Sequence, residues 1–279
     1  MNKKNSPVIL TAVLLLGALT ASAQTAATPA PAPAPAPAAA PAADAASSAS
    51  WTVTPSIASQ YMFRGVRLGG LAFEPSLEYD NGNLAVGVWN NTPLANKVPG
   101  QSDPEFDFYG SYTFEVQKDI SSLVPGYTLY TYPNAVKGNG FYQATFEPNL
   151  AFNYSISALK LTPKVYYDFV LKGPTLELNA AYAVPLKDAG TELDFAATVG
   201  TYEWTDAAED TTPSVKNWGN YWLVGVSAPF QVNKDSKLTV GWAYTEGSGN
   251  YLKQGGTPKV TNTGAVGRGV LSISYAYTY

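Results

Sequence analysis

From Trp51 onward the chain alternates apolar and polar positions with a period of two, in segments of about ten residues. In "FEPSLEYD", Phe73, Pro75, Leu77 and Tyr79 alternate with Glu74, Ser76, Glu78 and Asp80. In "EFDFYGSYTFEV", Phe106, Phe108, Tyr112 and Phe114 alternate with Glu105, Asp107, Ser111 and Thr113. "YQATFEPNLAFNY" sets Tyr142, Phe146, Leu150, Phe152 and Tyr154 against Gln143, Thr145, Glu147, Asn149 and Asn153. "LKLTPKVYYDFVL" sets Leu159, Leu161, Val165, Tyr167 and Phe169 against Lys160, Thr162, Lys164 and Asp168.

The same rhythm opposes Leu176, Leu178 and Tyr182 to Glu177 and Asn179, and Leu193, Phe195 and Val199 to Glu192, Asp194 and Thr198. It recurs with Leu238, Val240, Trp242 and Tyr244 against Lys237, Thr239 and Thr245. It ends in "GVLSISYAYTY", where Leu271, Ile273, Tyr275, Tyr277 and Tyr279 alternate with Ser272, Ser274 and Thr278. With less decisive segments near 84–91, 126–133 and 219–230, the pattern predicts about twelve strands, an even number as bacterial membrane barrels require.

The connections carry a second signal. Those after even-numbered strands read "DNGN", "QKDISSLVPG", "SISA", "PLKDAG" and "QVNKD"; those after odd ones include longer stretches at 92–103, 205–217 and 248–264. Short turns on one side and long loops on the other mark outer-membrane barrels, although the connections near 67–72 and 172–174 are short. A secreted β-sandwich also alternates, but it turns its polar face to water and carries many Lys and Glu there. Here the polar face is mostly Ser, Thr, Asn, Gly and Ala, so a transmembrane antiparallel up-and-down β-barrel over 51–279 is the expected all-β fold.

Upstream, Lys3 and Lys4, the apolar run "VILTAVLLLGAL" and Ala21-Ser22-Ala23 read as a signal peptide over residues 1–23. The run is too short for a transmembrane helix. Residues 24–50, an Ala/Pro-rich stretch, are expected to form an extended, disordered linker in the periplasm of a Gram-negative-type bacterium. That linker is read as a passive tether, with a wall-associated or protein-binding spacer as the alternative.

Composition then removes most activities. There is no His and no Cys, hence no Ser-His-Asp triad, Cys nucleophile or His-based metal site. Glu105 and Asp107 lie on one side of one strand, but paired i,i+2 carboxylates are common in non-enzymatic strands, and no enzyme is expected. Glu209 and Asp210 lack the D-x-D-x-D-G calcium pattern, so neither metal nor cofactor is expected. The net charge of −4 excludes nucleic acid as a partner. Outer-membrane lipid, small solutes and, during biogenesis, the barrel-assembly machinery remain.

"SQYMFRGVRLGG", then "PSLEYDNGNLAVGVWNN" and "PEFDFYGSYTFEV", resembles the opening of the TorF-type porin family. The matching positions are Tyr61, Phe63, Arg64 and Gly65, then Gly87 and Trp89, then Glu105, Asp107 and Tyr109. Tyr109 falls one place later than the family's spacing, and "VRLGG" replaces a Ser-rich stretch. The resemblance implies an outer-membrane barrel, and Tyr279 resembles the terminal aromatic signal read by the assembly machinery.

Parity places Arg64, Glu74, Glu78, Glu105, Asp107, Glu147, Lys160, Lys164, Asp168, Glu177, Glu192, Asp194, Lys237 and Arg268 on the lumen side. Two readings follow: a charged constriction in a porin-like channel for passive diffusion of small hydrophilic solutes, mildly cation-preferring, or a salt-bridged, filled lumen in a non-conducting structural or surface-interaction barrel. On this register Tyr61 and Phe63 belong to the outer-leaflet aromatic girdle. Arg64 lies near the mouth, beside Arg268 and within reach of Glu74, Glu105 or Asp107.

Overall fold

The computed structural model describes residues 49–96, 104–135, 143–205, 216–249, 254–255, 260–261 and 267–279. The expected signal peptide and nearly all of the expected linker therefore lie outside the described residues, as do Glu209 and Asp210.

The alternating segments form a closed antiparallel barrel of twelve staves. The first is Ser50–Thr54 with Ser56–Ala58, and the second is Ala72–Phe73 with Ser76–Asp80. The third is Leu84–Pro93, and the fourth is Glu105–Tyr112 with Phe114–Gln117. Then come Ser121–Thr131, Ala144–Ile156, Leu159–Asp168, Gly173–Leu186, Thr191–Thr205, Lys216–Asn233 and Ser236–Gly249. The twelfth, Arg268–Thr278, closes the ring on the first through Thr52↔Thr278, Val53↔Tyr277 and Ile57↔Ile273. Trp51 and Tyr279 seal the seam with reciprocal backbone hydrogen bonds of 2.9 and 3.0 Å.

Even-to-odd turns at one end are tight, and four of the five hold a residue at positive φ: Gly82, Asp119, Ser157 and Gly190. The stretch "SSLVPG", expected in a connection, is instead the start of the fifth stave, and the turn before it is only 118–120. Pro125 is accommodated there opposite Leu150.

Burial follows the alternation inside out. Phe108, Phe152, Leu176, Trp242, Ile273 and their like are exposed on the outer wall, while Thr145, Glu147, Thr175 and Thr198 are buried within. An apolar exterior around a polar interior is what a lipid-spanning barrel needs, since lipid cannot hydrate charge and closure leaves no unpaired edge. Aromatic rings pair on the outside at both ends. Trp51 and Tyr79 (5.2 Å) and Tyr112 and Phe114 (4.7 Å) sit toward the short turns, and Tyr167 and Phe169 (5.3 Å) toward the long connections.

One segment leaves the wall. After Ala58 the chain bends at Ser59 and Gln60, and Tyr61–Phe63 pairs with Val66–Gly69 as a separate two-stranded hairpin. Tyr61 and Met62 are 5% and 2% exposed, so the hairpin points into the lumen. Tyr61 and Phe63 are therefore not part of the outer girdle; its members at this end include Tyr127, Phe146, Tyr167 and Phe169. The first stave stops being a wall strand three residues before Tyr61, and parity cannot be carried past that bend.

Candidate functional site

The hairpin turns on Arg64 and Gly65, both at positive φ (46° and 77°), with Phe63 paired to Val66. A two-residue turn of this kind normally takes Asn-Gly or Gly-Gly, and an arginine there carries a backbone cost of about 1–2 kcal/mol. Gly65 is needed for a further reason: a Cβ on it would lie 2.3 Å from the Gly247 backbone nitrogen. The tip thus rests directly on the eleventh stave.

From that tip the Arg64 side chain reaches across to the far wall. Its Nη2 donates to both oxygens of Glu147 on the sixth stave, at 2.8 and 3.0 Å, with both residues buried. The guanidinium carbon lies 4.8 Å from the Phe63 ring centre, 4.9 Å from that of Trp204 and 5.3 Å from that of Tyr166. Tyr130 donates to the second Glu147 oxygen at 2.9 Å. Charge pairing, cation–π contact and satisfied hydrogen bonds together make burial of this arginine tolerable.

A second carboxylate anchors the wall beside the cage. Glu177 accepts from Tyr166 on one oxygen and Tyr221 on the other, both at 2.5 Å. Lys164 Nζ sits 4.6 Å above the Tyr166 ring. Asp168 accepts from Thr145 at 2.6 Å and from the Val170 and Leu171 amides at 2.8 and 2.7 Å. That turn tucks Leu171 inward against Tyr202, Trp204 and Tyr221.

The other side of the hairpin is held by Glu105, which accepts from Tyr61 at 2.5 Å and Tyr132 at 3.0 Å. Tyr61 also packs against Trp89, with ring centres 6.0 Å apart. Asp107, fully buried next in parity on the same stave, has neither carboxylate oxygen hydrogen-bonded.

Sequence parity groups fourteen lumen positions, and the structure divides them. Arg64, Glu105, Asp107, Glu147, Lys164, Asp168 and Glu177 gather around the hairpin, with Glu74 at the second stave's entrance. Lys160, Glu192, Asp194 and Lys237 lie on staves near the short turns, away from it. Glu78 accepts from Tyr109 at 3.0 Å. The expected partners of Arg64 were Glu74, Glu105 and Asp107; the bend carries it past them to Glu147 instead. Arg268 does not join it: it is exposed at the rim and donates to the Gly267 carbonyl at 3.1 Å. Tyr279, 63% exposed, lies on the outer wall.

Sequence reasoning missed the aromatic half of the site. Tyr130, Tyr166, Tyr202, Trp204 and Tyr221 all line the interior. Parity alone could have found Tyr166, which precedes outward Tyr167, and Trp204, which is in phase with inward Thr198.

Below the cage the lumen is lined by neutral polar groups. Ser122, Asn153, Thr162, Asn179 and Thr198 link adjacent staves, with Asn153 Nδ2 donating to Ser122 Oγ at 3.0 Å and Thr162 Oγ1 to Asn153 Oδ1 at 2.9 Å. Thr198 Oγ1 donates to Asn179 Oδ1 in the same belt.

A family model described as "Bacterial protein of unknown function (Gcw_chp)" matches residues 42–266. The chain belongs to the Gcw_chp family. No curated protein matches the sequence. Among solved structures it is similar to the NanC porin, at 12% identity and a TM-score of 0.48 over 81% of this chain and 98% of that one. It is similar to the KdgM porin in complex with disordered oligogalacturonate, at 10% identity and a TM-score of 0.46 over 82% and 99%. It is also similar to an outer membrane channel from Pseudomonas putida F1, at 10% identity and a TM-score of 0.47 over 85% and 97%. Within this Gcw_chp chain the three opening motifs converge: Tyr61 meets Glu105 and Trp89, and the Tyr109 ring covers Gly87.

Proposed function

We propose that the chain is an outer-membrane, porin-like channel through which small hydrophilic solutes diffuse passively past the Arg64 hairpin. The observation that carries this reading is the closed twelve-stave barrel with an apolar outer wall and an inner wall of hydroxyl, amide and carboxylate groups. The opening motifs, which resemble those of TorF-type porins, support the same reading. Excess carboxylate over cationic groups around the hairpin favours cations modestly. The Ala/Pro segment would lie in the periplasm, and Tyr279 would serve the assembly machinery as its terminal aromatic signal.

A second reading has its own support. Arg64, Glu105, Asp107, Glu147 and Glu177 are each at most 6% exposed, as expected of groups that hold a filled barrel together. Planar-bilayer recordings separate the two. The channel reading expects conductance steps from the wild type, larger steps when residues 61–69 are replaced by a short glycine link, and a reversal potential on the cation side. A silent wild type beside a conducting hairpin-deleted barrel would hand the case to the structural barrel.

A further inference from the structure

Arg64 occupies a cage that the barrel wall builds without it. Glu147, Tyr130, Tyr166 and Trp204 come from four different staves, and all are buried. They present one carboxylate, one phenol already bonded to that carboxylate and two aromatic faces to a single guanidinium. A carboxylate beside stacked aromatic rings is the chemistry that recognises organic cations: the rings favour positive charge over their faces, and the acid fixes its position. Around that cage the carboxylates of Asp168 and Glu177 also act on the Arg64 charge, and Lys164 is the other cation nearby. Withdrawing the arginine would leave a net negative, aromatic-lined site inside the lumen.

The group now filling that site is carried by the hairpin rather than by a wall strand. The hairpin is a two-stranded sheet of its own, not part of the barrel sheet. Its turn places a non-glycine residue at φ 46°. Its docked position rests on the Arg64–Glu147 and Tyr61–Glu105 contacts and on the packing of Gly65 against the eleventh stave, with no pairing into the barrel sheet. An internal ligand held this way can be replaced by a free one of the same chemistry.

We propose that the Glu147–Tyr130–Tyr166–Trp204 cage is a binding site for guanidinium- and ammonium-bearing organic cations, which Arg64 occupies as a tethered competitor. The proposal rests on the channel reading for its physiological meaning: a solute that enters the cage displaces the hairpin and passes the constriction. Binding itself does not depend on conduction, so the two can fail separately.

The test is chemical rescue of the full-length barrel in detergent. Arg64→Ala vacates the cage and lowers the melting temperature. Millimolar guanidinium chloride, far below denaturing concentrations, should raise it again saturably, by a few degrees, whereas sodium chloride and urea at equal concentration should not. Adding Glu147→Gln to Arg64→Ala should weaken the apparent guanidinium affinity by about tenfold or more, the worth of a charge-assisted hydrogen bond. Should Arg64→Ala fail to fold, hydrogen exchange on the wild type serves instead. Guanidinium, compared with potassium at the same ionic strength, should speed exchange of the amides of residues 61–69.

No rescue of the folded variant, rescue equal to that by sodium, or rescue indifferent to Glu147→Gln overturns the proposal. In the exchange experiment, unchanged protection of 61–69 does so. A silent bilayer with intact rescue would instead remove the channel reading and leave the cation site standing.

Discussion

Arg64, at the turn of the inner hairpin, and Glu147, on the sixth stave, stand 83 residues apart in sequence, and one guanidinium nitrogen meets both carboxylate oxygens at 2.8 and 3.0 Å. The contact ties the hairpin that leaves the barrel sheet to the wall it faces. Because both partners are buried, removing either strips the other of its direct counter-charge.

Arg64→Ala is therefore expected to destabilise the barrel by about 3–5 kcal/mol, as for other broken buried pairs. Glu147→Gln should cost less, since an amide oxygen still accepts from the guanidinium. The double variant should fall well short of the sum, because each change removes the same interaction. Urea titrations of the refolded protein in lipid vesicles, run as a double-mutant cycle, measure the coupling directly. An additive cycle would mean that the two side chains do not share their energy.

Gly65→Ala should act through the backbone. The residue holds φ 77°, and its new Cβ would sit 2.3 Å from Gly247 N and 2.4 Å from the Glu246 carbonyl carbon, atoms that cannot swing aside. Gly190 is the control: it too has positive φ (63°), but nothing lies within 4 Å of its Cβ position. Gly190→Ala should cost about 1 kcal/mol, the left-handed backbone alone, and Gly65→Ala clearly more. If the channel reading holds, Gly65→Ala also enlarges the conductance by lifting the hairpin tip off the eleventh stave. Melting temperatures and single-channel recordings on the two variants read both effects.

The wall was legible in the sequence because lipid and lumen impose opposite demands on neighbouring residues. Phe146 and Glu147, or Tyr167 and Asp168, declare their faces by chemistry alone, and the stave number follows. The hairpin was not legible, for a local reason. "YMFRGVRL" reads as the end of a strand, and its turn carries Arg where Asn or Asp would have announced it, so no turn signal marks the departure from the wall. The inward aromatics were hidden by their type: a tyrosine suits a membrane interface and a buried hydrogen bond equally well, and only strict phase separates Tyr166 from Tyr167.

Leu150 and Asn149 test that phase on the sixth stave. Leu150 is 41% exposed on the outer wall, while Asn149 faces the interior. Leu150→Lys should cost about 2–4 kcal/mol if the site lies near the bilayer midplane and deplete the folded, membrane-inserted form. Asn149→Lys, in a lumen that already holds Lys160 and Lys164, should insert almost normally. The heat-modifiable gel shift of folded barrels reports both. Equal damage from the two substitutions would show that the outer wall does not meet lipid.

Gly200→Ala should reach Glu177 without touching it. Gly200 pairs directly with Tyr221 across the ninth and tenth staves, and the phenol ring occupies the space where a side chain on residue 200 would stand. A Cβ there would come within 2.0 Å of the ring carbon Cζ and 2.4 Å of the hydroxyl. The ring must tilt away, and its hydroxyl is what donates to Glu177 Oε1 at 2.5 Å. Glu177 then keeps only Tyr166 on its other oxygen, so a buried carboxylate loses one of two donors, at a cost of about 1–3 kcal/mol. Tyr221→Phe deletes the same hydrogen bond without moving the ring. If the glycine acts by seating that ring, adding Tyr221→Phe to Gly200→Ala should cost far less than Tyr221→Phe does in the wild type. Unfolding free energies of the two single variants and the double one decide it, and strict additivity would show that the space over Gly200 and the bond to Glu177 are unconnected.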